Sequence, residues 1–112
     1  MFQVAGQTGL GVIQAAKEKG VYAIGVDSDQ SYVAPNTVVT SAMKRVDVAT
    51  YSVIKDTLNG KFKSGIIYFD LKNNGVGLAP FMKGVPKSVS DKINKVIADI
   101  KAGKIKIPTE VK

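Results

Sequence analysis

The chain contains no cysteine and no histidine. Without cysteine there is no disulfide scaffold, no zinc–thiolate site and no thiol nucleophile. Without histidine, the usual general base and the commonest metal ligand are both missing. These absences weigh against an enzyme, and no metal or cofactor site is expected. Long hydrophobic runs are also lacking, since none approaches the roughly 20 apolar residues of a membrane-spanning helix. No charged leader, apolar h-region or cleavage site precedes the first apolar stretch, Phe2–Ala5. A start inside the hydrophobic pattern predicts a piece of a longer protein, with Met1 supplied artificially.

Charge of one sign is scarce only locally. The net charge is +7, yet residues 1–41 carry Lys17 and Lys19 against Glu18, Asp27 and Asp29. From Lys83 onward there are eight lysines against Asp91, Asp99 and Glu110. A basic end favours nucleic acid or an anionic surface. This one has no arginine, and the nearest aromatic residue is Phe81, so bidentate and stacking contacts to bases are poorly supplied. A solvated lysine face is the expectation, with no nucleic-acid partner.

What is present suits one small domain, 112 residues with enough apolar content for a core. Phe2–Ala5 reads as a buried strand and Thr8–Lys19 as a helix stopped by Gly20, with Leu10, Ile13 and Ala16 on its apolar face and Val12 at its edge. Val21–Val26 is a near-continuous apolar run, the pattern of a parallel strand covered on both faces. These three form a βαβ unit with a right-handed crossover. Val38–Met43 predicts a further strand, Val46–Leu58 a helix ended by Asn59-Gly60, and Gly65–Leu71 a strand. Lys72–Pro86 reads as an irregular loop, and Gly75–Phe81 within it as a segment packed on a second body of structure. Val89–Ala102 predicts a helix capped by Ser88 or Ser90, with Ile93, Val96, Ile97 and Ile100 as its stripe. A short Ile105–Ile107 strand closes the pattern. The order predicts a layered α/β fold, with a mostly parallel sheet flanked by helices.

Two segments point to function. Gly6-x-x-Gly9-x-Gly11 lies between a strand and a helix, where glycine allows close approach of backbone to ligand. Its spacing is the reverse of the dinucleotide fingerprint, which counts against a nicotinamide or flavin site. Close packing alone is the competing reading, but three glycines and Thr8 exceed what packing requires. Asp27 ends the second apolar run, where a carboxylate accepts two hydrogen bonds from adjacent sugar hydroxyls. Each such bond is worth about 1.5–3 kcal/mol. The competing role for Asp27 is capping its own loop, a role better suited to Asp29. Lys44 and Arg45 end the third strand on the same rim, where Lys44 either steadies Asp27, contacts the ligand or is merely exposed. Phe2 is a stacking candidate or a core residue; Tyr68, Phe69 and Phe81 read as packing. Gly75–Phe81 is followed by no Gly-Lys-Ser/Thr and is not a phosphate loop. A sugar- or nucleotide-sized ligand is the resulting expectation.

Four motifs occur in order: Val4-Ala-Gly-Gln-Thr-Gly-Leu-Gly-Val12, Ile24-Gly-Val-Asp-Ser-Asp-Gln30, Thr40-Ser-Ala-Met-Lys-Arg-Val46 and Asn74-Gly-Val-Gly-Leu-Ala79. Together they resemble the basic membrane protein family of solute-binding lipoproteins, which serve ATP-binding-cassette importers and include purine nucleoside receptors. The likeness runs from Phe2 to about Pro108. It implies a type I periplasmic-binding-protein-like, flavodoxin-like fold of two lobes that close on a nucleoside, lipid-anchored outside the cell membrane and partnered by a permease. It also implies that residues 1–112 form the carboxyl-terminal portion, with 46–60 packing on the absent lobe and the fragment prone to self-association. By position, Phe2 would stack on the base, Gly6 would offer backbone, Asp27 would hold the ribose hydroxyls and Lys44 would lie beside the ribose. The alternatives are a Rossmann-like nucleotide-binding enzyme domain or a sensor domain of a transcriptional regulator.

Overall fold

A computed structural model describes residues 1–108. Within them, β1 (Ala23–Asp27) pairs in parallel with β2 (Val38–Lys44), and β3 (Val76–Leu78) runs antiparallel on the far side of β2. Three helices accompany the sheet: α1 (Gly9–Glu18), α2 (Val46–Leu58) and α3 (Lys87–Lys101). The α/β class is therefore as expected, with a mixed sheet because its edge strand is antiparallel.

The helix limits follow local chemistry. α1 ends where Val21 and Gly20 donate backbone N–H to the carbonyls of Ala16 and Lys17, the pattern that glycine beyond a last turn permits. Gly60 and Gly103 close α2 and α3 in the same way. The bounds of α2 are those its apolar spacing predicts. α3 begins two residues earlier than expected, with Pro86 as its N-cap in place of Ser88 or Ser90, and Ser90 Oγ donates to the Lys87 carbonyl inside the first turn. At its other end, Lys95 and Lys104 flank Asp99, and the Lys95 hydrogen bond draws the Asp99 carboxyl below its usual range.

Several expected strands are corrected. Of Phe2–Ala5, Phe2 alone bridges β1, in parallel with Ile24. The ladder stops there because Gln3 Oε1 takes the Ala5 N–H and Gly6, at φ +54°, turns the chain away. Gly65–Leu71 forms no strand; Ile66 and Tyr68 are 83% and 81% exposed, so Tyr68 does not pack as expected. An unalternating apolar run requires cover on both sides, and no described residue supplies a ladder to it. Ile105–Ile107 likewise forms no strand. Gly75–Phe81 contains β3 instead of a loop. Its pairing to β2 extends through Arg45 N–H to Gly75, Ala79 N–H to Ser41 and Met82 N–H to Val39.

The core is small and lies between α1 and one face of β1–β2. Ile13 and Ala16 of α1 meet Ala23, Ala34 and Val38, with Val33 against them. Leu10 stays outside this contact. The other face is only partly covered: Ile24 is exposed and Val26 half-buried, so β1 is not the doubly covered strand its composition predicts. Neither α2 nor α3 buries a residue, and Val46, Leu58 and Val96 of their apolar stripes lie exposed. A radius of gyration of 16.5 Å matches this open arrangement, since a compact chain of this length has about 13 Å.

Candidate ligand-binding rim

The parallel pairing of Phe2, β1 and β2 directs their carboxyl ends to one edge. The Gly6–Thr8 turn follows the Phe2 segment there, Asp27 ends β1, and Lys44 ends β2. Because Phe2 and β2 flank β1 on opposite sides, Asp27 lies between the glycine turn and Lys44 along this rim.

Asp27 pairs in register with Met43, and its Oδ1 lies 3.1 Å from Lys44 Nζ. Both side chains remain more than half exposed. An exposed pair of this kind adds about 0–1 kcal/mol to stability, so it orients the carboxylate more than it holds the fold. Lys44 thus steadies Asp27, one of the roles open to it from sequence. Asp27 also has φ +67°, and Ser28 N–H donates to the Val26 carbonyl at 2.8 Å across it. A left-handed γ-turn on a non-glycine residue is costly, about 1–3 kcal/mol. Asp29 does the loop capping by accepting from Ser31 N–H at 2.9 Å, which leaves the Asp27 carboxylate to the rim.

The glycine turn contributes backbone. Among the described residues, no side chain caps either the Gly6–Thr8 turn or α1, and Gly6, Gln7 and Thr8 are exposed. Leading amides of a turn entering a helix are left for water or an anionic or hydroxylated ligand. Phe2 is 58% exposed, so it is not a core side chain. Beside the ion pair opens a groove of about 440 Å³, lined by Val26, Ala42, Leu78 and Ile97 with Asp27 and Lys44. The rim therefore combines an apolar wall, a carboxylate, an ammonium and free amides. It offers no nucleophile–base pair, and the described residues hold no cluster of metal-ligating side chains.

Sequence reasoning missed what lies beneath the rim. Gln3, Gln30 and Ser41 are buried and joined: Gln3 Nε2 donates to Gln30 Oε1 at 2.9 Å, Val26 N–H to the same oxygen at 3.0 Å, and Gln30 N–H to Ser41 Oγ at 3.0 Å. The available signal was two glutamines, Gln3 just before the first motif and Gln30 at the end of the second, in positions otherwise read as strand and loop.

Comparison with known proteins shows the family of the chain. The sequence model of the Bmp family, described as ABC transporter substrate-binding protein PnrA-like, matches residues 1–111. Basic membrane protein D of Borreliella burgdorferi (strain JD1) is 42% identical over 114 residues, covering 96% of this chain and 33% of that protein. An uncharacterized lipoprotein of Pyrococcus abyssi is 42% identical over 83 residues, covering 69% and 20%. Among solved structures, a transcriptional activator of the comK gene from Bacillus halodurans superposes with a TM-score of 0.87 at 29% identity, covering 93% of this chain and 37% of that one. A solute-binding protein of an ABC transporter system from Aeropyrum pernix K1 gives 0.78 at 28%, covering 99% and 40%. The chain spans about a third or less of the length of these curated relatives.

Proposed function

Because the chain belongs to the family of PnrA-like ABC transporter substrate-binding proteins, we propose that it is the carboxyl-terminal portion of a two-lobe solute-binding lipoprotein that delivers nucleosides to an importer. Asp27 accepts from the ribose hydroxyls, Lys44 lies beside the sugar, Gly6 presents backbone and Phe2 stacks on the base. The observation that carries this reading is the Asp27–Lys44 pair, held on a left-handed turn beside uncapped amides at one sheet edge. The parent is lipid-anchored outside the membrane, and its permease reads lobe closure. Ligand shifts that equilibrium only by binding the closed form better than the open one. The protein performs no catalysis. Calorimetric titration of the full natural reading frame with adenosine, inosine, guanosine and free ribose tests the reading. Binding of ribose but of no nucleoside would refute it.

The second lobe is the natural cover for residues 46–60 and the stretch after them. Tyr51, Ile54, Leu58, Ile66 and Tyr68 are all more than half exposed. The isolated 112-residue chain is accordingly expected to self-associate and to bind a hydrophobic dye. A dilute sample that sediments as a monomer without dye binding would contradict this. Lys92 and Lys95 of α3 do not line the groove beside the ion pair, so Lys92→Glu with Lys95→Glu should leave nucleoside affinity unchanged. A marked loss in calorimetry would extend the site from Ile97 of α3 to its lysine face.

A sensor domain of a transcriptional regulator is the second reading, favoured by the fold shared with a transcriptional activator. It employs the same rim, and a helix-turn-helix segment upstream in the reading frame would select it.

A further inference from the structure

Gln30 is 8% exposed, Gln3 4% and Ser41 0%, in a core that has few large apolar side chains. Two glycines leave room for this polar set. A Cβ at Gly25 would lie 2.4 Å from Ser41 Oγ and 2.8 Å from Gln30 Oε1, and one at Gly9 would lie 1.9 Å from Gln3 Oε1. Glycine weakens both a strand and a helix, so local propensity has yielded to these amides at two places.

Their connections explain why. Gln30 Oε1 reaches back four residues to Val26 N–H and so closes the loop that contains Asp27. Its backbone N–H is anchored on Ser41, in the middle of β2. The same oxygen accepts from Gln3 Nε2, while Gln3 Oε1 accepts from Ala5 N–H immediately before Gly6. One amide–amide bond thus ties the glycine turn to the Asp27 loop. A left-handed aspartate persists only where its surroundings over-determine it.

We propose that Gln30, with Gln3 as its second anchor, is a positioning residue that holds the Asp27 carboxylate and the Gly6 amides at a fixed separation, and so sets the preference for ligands with intact sugar hydroxyls. The inference rests on the nucleoside reading above for its ligand, and on the hydrogen-bond geometry for the rest. Loss of the Gln30 oxygen strands Val26 N–H and the Gln3 amide in a buried place, and Asp27 is then free to leave its left-handed conformation.

The test compares Gln30→Met, which keeps shape without an acceptor, with Gln30→Glu, which keeps an acceptor oxygen. Both are made in the full natural reading frame. Adenosine and 2′,3′-dideoxyadenosine are titrated by calorimetry, and the ligand-free variants are crystallised. Gln30→Met should weaken adenosine binding about tenfold or more while changing dideoxyadenosine much less, so the wild-type preference collapses; Gln30→Glu should restore most of it. In the ligand-free crystals, Asp27 should leave positive φ in Gln30→Met and keep it in Gln30→Glu. Should Gln30→Met not fold, Ser41→Ala removes only the anchor of the Gln30 N–H, and the preference should fall by about threefold. A destabilised variant that retains the wild-type preference and Asp27 conformation overturns the proposal, because the glutamine would then only support the fold. If the wild type binds neither nucleoside, the nucleoside reading fails and the Asp27 conformation in the crystals still decides the positioning role.

Discussion

Replacing Asp27 with alanine in the full reading frame is expected to weaken nucleoside binding by at least about tenfold, because two charge-assisted hydrogen bonds to the sugar disappear together. Analogues without the 2′ and 3′ hydroxyls should lose far less, since they make no such bonds. The folded state should barely respond: the Asp27–Lys44 pair is exposed on both sides, and pairs of that kind contribute little. Asp27→Gly should lose the same affinity, with the γ-turn retained at lower cost because glycine accepts positive φ without strain. A loss of affinity without a loss of stability is thus the signature sought. Calorimetry giving Asp27→Ala the wild-type affinity would remove the carboxylate from the site.

Much of the rim was legible before the structure. Asp27, Lys44 and the glycine turn were each readable because a parallel sheet sends strand ends to one edge, and the apolar runs that define those strands are local signals. The bounds of α2 were legible for a similar reason, as apolar spacing and Asn59-Gly60 mark its course without reference to any neighbour. The failures are of one kind. Gly65–Leu71 has the composition of a strand, but composition does not supply a partner, and the segment joins no ladder and is mostly exposed. Phe2–Ala5 breaks off after one residue because the side chain of Gln3 competes for the Ala5 amide. β3 escaped notice since Gly75-Val-Gly-Leu lacks the β-branched density of a strand, and only its ladder to β2 makes it one. The Gln3–Gln30 bond joins positions 27 apart in sequence, a separation at which periodicity carries no information.

The glycines divide by what surrounds them, and this yields the largest expected effect on stability. A Cβ at Gly75 would meet Phe69 Cβ at 2.3 Å and the backbone carbonyl carbon and Cα of Phe69 at 2.8 Å. Rotating a side chain cannot relieve contact with backbone, so the chain itself must move. Gly75 is also where Asp70 and Asn73 gather the turn before β3, and its carbonyl accepts the Arg45 N–H just beyond Lys44. Gly75→Ala is therefore expected to destabilise the protein by about 1–3 kcal/mol, the range of overpacking in a tight site. Displacement of β3 would also disturb the apolar wall beside Asp27, because Leu78 lines that groove. Gly11 is the contrasting case. It lies inside α1 with nothing within 4 Å of an added Cβ. There alanine only improves helix propensity, by about 0.8–1.0 kcal/mol. Of the three glycines in the first motif, Gly6 serves the turn and Gly9 makes room for Gln3, whereas Gly11 is dispensable to the packing seen here. Urea midpoints for Gly75→Ala and Gly11→Ala should therefore move in opposite directions from the wild type. Equal midpoints for the two would mean that the turn before β3 tolerates the extra carbon and does not brace the rim.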